Sequence, residues 1–522
     1  MSMPSLARCR GRCLLRLLVA VIALVAILGS LWRLHAASAG VEISTQRVDG
    51  VPLTLYRPAG VERAPAVVIA HGFAGSQRMM QPYALTLARN GYVAVTFDFA
   101  GHGRNPAPFV ASLEDQQRRL ATLSAGLAPA VALALEHADP SGRVALLGHS
   151  MAGDVLARHA AAHPETVVAN VLLSPYLSPE TEVASIRNLL LVYGALEPEM
   201  LHAQGLERLA AVLDTEVAPG EIHGAPEAGD GRGLMLVEGA EHIGVLYAEG
   251  GQRLALDWLD RSFGHVSAGG VDRRGGALAL LFLGLVALAW PLAALLPRAA
   301  ATPRGAGLGW RRLWPVAVAP AILTPLLLWP LPTGWLPILL GDYLSLHFGL
   351  YGLLTLAGLW WVRRRGVGGE PPAASPVDWS RLALATLAVM LYFGVALTLP
   401  VDRFVTTLVP DAHRLPLVLA ILCGTALYFG TDEWLTRGQG AGRGAYAATK
   451  LLFLLSLALA VALNLAELFF LVIIIPAILV FFLVYGLLSG WVYRRVNHPL
   501  AGALANALAF ASAVAVTFPV VG

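Results

Sequence analysis

Charge is scarce in this chain. Only 14% of its 522 residues are charged, against about 25% in an ordinary soluble domain. A water-facing surface is therefore excluded for much of its length. Cysteine is nearly absent, with Cys9, Cys13 and Cys423 the three present. None falls between 41 and 270, which excludes a disulfide framework there. A stretch of roughly 230 residues buries enough core to stand without one. Cys9 and Cys13 lie beside an apolar run, where acylation is open to them, although free thiols are the simpler expectation. Zinc-ligand spacings, an EF-hand, a P-loop and a dinucleotide fingerprint are all missing, so no metal and no cofactor is expected. The net charge of +3 comes without a basic helix or an aromatic stacking array, and nucleic acid is not an expected partner.

What the chain has in excess is apolar sequence, 56% of residues, unevenly distributed. Residues 41–270 have an ordinary soluble mixture. From 276 onward, long apolar runs alternate with short polar loops, and about 20 such residues span hydrocarbon. Eight runs qualify: Gly276–Pro297, Leu313–Pro332, Tyr343–Val362, Leu382–Pro400, Leu415–Phe429, Thr449–Leu465, Phe469–Ser489 and Ala501–Val520. The fifth and sixth are short. Pro315, Pro320, Pro325 and Pro330 predict a kinked second run. Trp335–Gly341 reads as a re-entrant or an interfacial segment. A further run, Leu17–Trp32, follows Arg8, Arg10, Arg12 and Arg16. It reads as a signal anchor in preference to a cleaved signal peptide, because Arg33 and His35 interrupt the path to the small residues Ala37-Ser38-Ala39.

Loop charges give an orientation. The expected cytoplasmic loops, 298–312, 363–381, 430–448 and 490–500, carry Arg298, Arg304, Arg311, Arg312, Arg363, Arg364, Arg365, Arg381, Arg437, Arg443, Arg494 and Arg495. The opposite short loops hold only Arg403 and Arg414. This bias places residues 41–270 outside the cytoplasm, on the periplasmic side if the membrane is a bacterial inner one. Arg273 and Arg274 are exceptions. Polar residues within or near the runs, Asp342, His347, Asn464, Glu467 and Asn506, are expected mostly at helix ends. The domains predicted are a tail and anchor (1–40), a soluble α/β domain (41–270) and an all-α domain of about eight membrane helices (271–522).

The soluble segment carries the chemistry. In RVALLGHSMAGDVLARHAAAH (143–163), an apolar strand meets Gly148-His149-Ser150-Met151-Ala152-Gly153, and a helix-forming run follows. A serine at a sharp strand-to-helix corner is a nucleophile elbow. Small neighbours at 148, 152 and 153 let strand and helix approach, and the helix N-terminus turns its free amides toward a developing oxyanion. Ala152 stands where the usual G-x-S-x-G pattern has glycine.

The ordered set of motifs resembles the α/β-hydrolase family over roughly residues 41–263, with a dienelactone-hydrolase or serine-aminopeptidase flavour. APAVVIAHGFAGSQ (64–77) is similar to the family's third strand and oxyanion loop, His71-Gly72-Phe73. YVAVTFDFAGHGRN (92–105) resembles its D-x-x-G-x-G turn, with Asp98, Gly101 and Gly103. The resemblance implies a doubly wound, mostly parallel sheet and a triad in the order serine, acid, histidine. Glu197 fills the acid position three residues after Gly194, with Glu199 its neighbour and competitor. His242 follows the last strand and precedes an amphipathic helix. His102 and His149 flank the motifs and are expected to pack or line the pocket. Ser150 would attack, His242 would shuttle the proton, Glu197 would orient the imidazole, and the amides of Phe73 and Met151 would receive the oxyanion. The expected activity is hydrolysis of a small-molecule or lipid ester in contact with membrane lipids. Peptidase, thioesterase or acyltransferase chemistry, or a non-catalytic sensor or assembly role on a transport-type membrane half, stay open. Ser174–Asn188 leaves room for only a short cap.

The orientation is testable by fusion. A phosphatase joined after Phe263 is expected to be active in a bacterial host, and one at Gly366 inactive. A cytoplasm-only reporter should give the reverse pair, and a cytoplasmic signal after Phe263 would overturn the topology.

Overall fold

In the computed structural model, residues 4–110, 116–332, 334–365 and 376–522 are described. The side chains of Arg8, Cys9 and Arg10, and the loop position Gly366, lie outside that set. The chain divides into two compact units. One comprises Gly29–Leu280, Val401–Thr407 and Pro519–Gly522, the other Met1–Leu28, Leu281–Pro400 and Leu408–Phe518.

The first unit is built on nine strands: β1 (Val41–Val48), β2 (Val51–Pro58), β3 (Ala66–Ala70), β4 (Val93–Phe97), β5 (Val144–His149), β6 (Val167–Leu173), β7 (Leu189–Gly194), β8 (Ile222–His223) and β9 (Arg232–Val237). Their order is β1-β2-β4-β3-β5-β6-β7-β9-β8. β1 and β2 form an antiparallel hairpin at one edge. Its turn is Asp49-Gly50, both at positive φ, the conformation that suits the twist of the paired strands. From β4 to β9 the neighbours run parallel. Such strands are covered on both faces, so they read as unbroken apolar runs, and every residue of β3, β4, β5, β6 and β7 is buried. The helices α2 (Gln81–Arg89), α3 (Gln116–Glu136), α4 (Ala152–Ala162) and α5 (Glu199–Leu213) lie between strands, and α6 (Glu249–Phe263) follows the last one.

Register positions the site. Ala70 pairs with Gly148, His149 with Leu173, Leu173 with Val192 and Gly194 with Val237. The carboxyl ends of β3, β5, β6, β7 and β9 therefore open on one edge, where doubly wound sheets bind ligands. Segment 174–188 holds only a short 3-10 turn. It is pinned to α4, because Asp154 accepts from the amide and hydroxyl of Ser178, each at 2.9 Å, and from Thr181.

The second unit is helical, and the remaining helices are α1 (Pro4–Ala36), α7 (Arg274–Ala293), α8 (Trp310–Leu328), α9 (Gly341–Arg364), α10 (Trp379–Leu391), α11 (Leu399–Phe404), α12 (Leu415–Thr436), α13 (Ala445–Leu463), α14 (Leu465–Val496) and α15 (Leu500–Thr517). Ten helical stretches among the described residues are long and apolar enough to cross a membrane, by length and composition. One of them, α3, belongs to the sheet-bearing unit, where it packs on β3 and β4. By the other nine, the chain is a multi-pass membrane protein. Leu283, Leu353, Leu384, Leu419 and Leu483 are exposed on their surfaces, as lipid-facing positions require. α10 continues into α11 through a π-helical stretch, Tyr392–Thr398. Pro400, two residues on, lacks an amide hydrogen and crowds the carbonyl four residues back, which is a known cause of such widening.

Of the two readings left open for Trp335–Gly341, the structure has the loop, which leads into α9 at Gly341, with Asp342 accepting from the amides of Gly334, Trp335 and Tyr343. Other expectations need correcting. Asn464 and Glu467 do sit at a hairpin, where Asn464 caps α14. His347 and Asn506, by contrast, are fully buried within helices. The loop expected at 430–448 is also shorter, because α12 runs to Thr436 and α13 starts at Ala445. Asp432, Glu433 and Lys450 are consequently buried inside the bundle. Arg273 and Arg274 departed from the charge bias for a local reason. Arg274 forms a buried pair with Asp272, Nε to Oδ1 at 2.9 Å, and Arg273 pairs with Glu249.

Lys450 is the one lysine in the sequence. It pairs with Asp432 and lies over the rings of Tyr428 and Tyr446, at 4.9 and 4.4 Å. Beside it, Glu433 accepts from Arg437 at 2.8 Å and from Ser489 at 2.6 Å. Two acids and two bases thus balance. Removing one partner of a buried pair strands the other charge, at about 3–5 kcal/mol. Lys450→Met is expected to lower the thermal midpoint in detergent sharply, and Asp432→Asn combined with it should recover much of the loss. A double variant no more stable than the single one would refute this.

Candidate active site

Ser150 stands at the carboxyl end of β5 with φ of +53°, a left-handed conformation that costs a non-glycine residue about 1–3 kcal/mol. The strain is held by packing. A side-chain carbon on Gly148 would meet Leu156 at 2.4 Å, so strand and helix close up only around glycine, while Ala152 fits with no exposure. α4 begins at once, with Met151 at its N-cap. The loop expected to hold the oxyanion, His71-Gly72-Phe73, lies against this corner. A carbon added to Gly72 would sit 3.0 Å from Ser150 Cβ and 2.8 Å from His149 Nδ1. Phe73 is the next residue along.

The structure brings Ser150, His242 and Glu197 into one line. His242 Nε2 is 3.0 Å from Ser150 Oγ, and His242 Nδ1 is 2.9 Å from Glu197 Oε2. Since the carboxylate only accepts, Nδ1 carries the proton and Nε2 is left to accept from the serine hydroxyl. Glu197 is buried, whereas its competitor Glu199 is exposed in the first turn of α5. The other oxygen of Glu197 accepts from the Gly194 amide at 2.7 Å and from Ser174 Oγ at 2.5 Å. Burial pushes this carboxyl up. The bonds from His242, Ser174 and Gly194 outweigh it and hold the pKa below the usual carboxylate range.

Ser174 was not among the residues read from the sequence. Its signal was positional, since it is the first residue after β6, at the same sheet edge as Ser150. His149 has a defined task as well. Its Nε2 donates to the carbonyl of His242 at 2.9 Å, tying the histidine loop to the elbow. Burial, then repulsion from His242, lower its pKa to about 3 and keep the ring neutral. His71, lowered chiefly by burial, donates from Nδ1 to Gly72 and accepts the Phe99 amide at Nε2. His102 is buried and stacks edge-on against Phe73 at 5.8 Å. Asp98 joins the two glycine-rich turns by accepting from the amides of Gln77, at 2.8 Å, and Arg104, at 3.1 Å.

Residues 62–213 match the family model described as serine aminopeptidase, S33. The sheet-bearing unit has an α/β-hydrolase-like fold, a mostly parallel sheet with helices following its strands. Solved structures similar to it include a membrane phospholipase A described as a bacterial virulence factor, with 18% identity, 49% of this chain and 99% of that one covered, and a TM-score of 0.34. A dienelactone hydrolase from Anabaena variabilis is 19% identical, with 44% and 99% covered and a TM-score of 0.30. A thioesterase domain from the curacin biosynthetic pathway is 16% identical, with 42% and 99% covered and a TM-score of 0.30. No curated protein matches the chain by sequence.

His149 gives the sheet-bearing unit an acid sensitivity. Unfolded, its imidazole binds a proton below about 6.5, and folded only near 3. The unfolded state therefore holds more protons between these values, and stability falls as pH drops through that window. Glu197, whose folded pKa is also depressed, adds loss of the same sign at lower pH. The thermal midpoint should fall steeply between pH 6.5 and 4, and His149→Gln should flatten the slope. An unchanged slope would contradict the assignment.

Proposed function

We propose that this protein is a membrane-embedded serine hydrolase that cleaves a carboxylic ester through an acyl-enzyme on Ser150, on the extracytoplasmic side. The observation that carries the reading is the hydrogen-bonded line Ser150–His242–Glu197 on a serine of positive φ. A binding module has no use for a strained serine in hydrogen-bond reach of an imidazole whose tautomer is fixed by a buried carboxylate.

In the first half-reaction Ser150 Oγ bonds to the substrate carbonyl carbon, and its proton passes to His242 Nε2. The amides of Phe73 and Met151 stabilise the oxyanion, each donor contributing about 3–4 kcal/mol at the transition state. The C–O bond to the alcohol then breaks, and the proton on Nε2 leaves with the alkoxide. In the second half-reaction water gives a proton to Nε2 and its oxygen to the acyl carbon. Ser150 departs with that proton, and the carboxylic acid is released. Glu197 stays ionised throughout and holds the imidazolium.

Tyr176, Leu196 and Ile243 support an apolar substrate group. These side chains are exposed, and they follow or adjoin Ser174, Glu197 and His242 in sequence. Amide cleavage is the second reading, favoured by the aminopeptidase description of the matched family model.

Ser150→Ala is expected to abolish p-nitrophenyl ester turnover and fluorophosphonate labelling with the fold intact. Glu197→Gln should reduce turnover at least about 100-fold, and Glu199→Gln should leave it near wild type. Wild-type turnover by Ser150→Ala would defeat the assignment, and the reverse ranking of the two glutamates would move the acid to Glu199. An amino-acid p-nitroanilide assayed alongside separates ester from amide specificity.

A further inference from the structure

Two short segments far along the chain are built into the hydrolase unit, Val401–Thr407 and Pro519–Gly522. Both meet the loops that carry the oxyanion site. Ser76, almost fully buried in the turn after Gly72-Phe73, accepts the amide of Thr407 at 3.0 Å and shares a hydrogen bond with the hydroxyl of Thr406 at 3.1 Å. Asp402 adds ion pairs to Arg78 at 3.6 Å and to Arg104 at 3.3 Å. These arginines come from the two loops that Asp98 already joins.

The second segment adds a short bridge on the far side. Val520 donates its amide to the Gly101 carbonyl at 2.9 Å, and its carbonyl accepts the Phe109 amide at 2.8 Å. The contacts then run inward ring by ring. Phe109 lies 5.3 Å from His102, and His102 lies 5.8 Å from Phe73 and 5.4 Å from His71. The bridge therefore backs the ring that backs the oxyanion residue.

We propose that residues 401–407 and 519–522 are positioning segments of the active site, bracing the oxyanion loop Gly72–Met79 from two flanks and holding the Phe73 amide in register with Ser150. The inference rests on Ser150 being the nucleophile. The physical demand is tight. Oxyanion donors act only when preorganised at about 2.7–3.1 Å from the developing charge, and a misplacement near 1 Å can cost about 100-fold in rate. Within the oxyanion loop Gly75 bonds back to Gly72 and Met79 to Ser76, His71 holds the Gly72 carbonyl at 2.8 Å, and Gln77 is tied to Asp98 and Thr96. The two segments add restraint at Ser76 and behind Phe73. The brace acts on the loop, not on the substrate or on His242. It should therefore govern kcat while leaving KM and the pH profile unchanged.

The test uses the full-length protein in detergent with a p-nitrophenyl ester. Thr406→Val removes the hydroxyl that meets Ser76, and Val520→Pro removes the amide that meets Gly101. Thr406→Ser and Val520→Ala keep those bonds. Both disruptive variants are expected to lower kcat about 10- to 100-fold, with KM within twofold and the kcat/KM pH midpoint unmoved. The conservative pair should be rescued to near wild type. Wild-type kcat in both disruptive variants overturns the proposal, and so does an equal loss in the conservative pair. Ser150→Ala run in parallel separates the two levels. If it retains turnover, the nucleophile reading has failed. If it is dead while Thr406→Val and Val520→Pro are unimpaired, the brace alone has failed.

Discussion

The constraint on which the sheet-bearing unit turns is one backbone angle. Ser150 is held at a positive φ where β5 meets α4, and that conformation survives only because the surroundings leave no alternative. Gly148 admits Leu156, Gly72 crosses the corner against Ser150 and His149, and the Ser150 amide is fixed to Leu173 at 2.9 Å. The strain thus draws its support from three neighbouring strands. Parallel strands in register deliver that support, since their ends arrive together at one edge.

Much of this was legible in the sequence because the signals are local. A buried parallel strand is an apolar run, a turn needs its glycines, and a helix follows within a few residues. The motifs around Phe73, Asp98, Ser150, Glu197 and His242 each contain their own strand end. Ser174 was not legible, since a serine after an apolar run has no distinguishing neighbour. Its meaning comes from Glu197, 23 residues away in sequence and 2.5 Å away in space. The choice of Glu197 over Glu199 rested on its offset from Gly194 alone, and the structure adds the physical contrast, a buried Glu197 beside an exposed Glu199.

The helical half shows the opposite failure. Composition finds apolar runs well but trims them at the first charge. The run ending at Phe429 stopped short of Asp432 and Glu433, and the run beginning at Thr449 took in Lys450 without its partner, although α12 and α13 carry all three inside the bundle. Charges that neutralise one another can remain within such a helix. Only the pairing of Lys450 with Asp432, 18 positions apart, reveals that the loop was helix. The arginines at 273 and 274 erred in the other direction. They belong to ion pairs of the folded domain, Arg274 to a buried one, and say little about the side of the membrane.

The discontinuity of the hydrolase unit also sets an order of events at the ribosome. Leu280 and Pro519 both belong to it, yet the chain between them must be made and inserted before the second is available. At about 5–20 residues per second, that interval is on the order of 10–50 s. During it Ser150, Glu197 and His242 have all been synthesised, while the short bridge from Val520 to Gly101 and Phe109 has not. On the bracing proposed above, the Gly72–Met79 loop gains its last restraint only once residues 519–522 have left the ribosome.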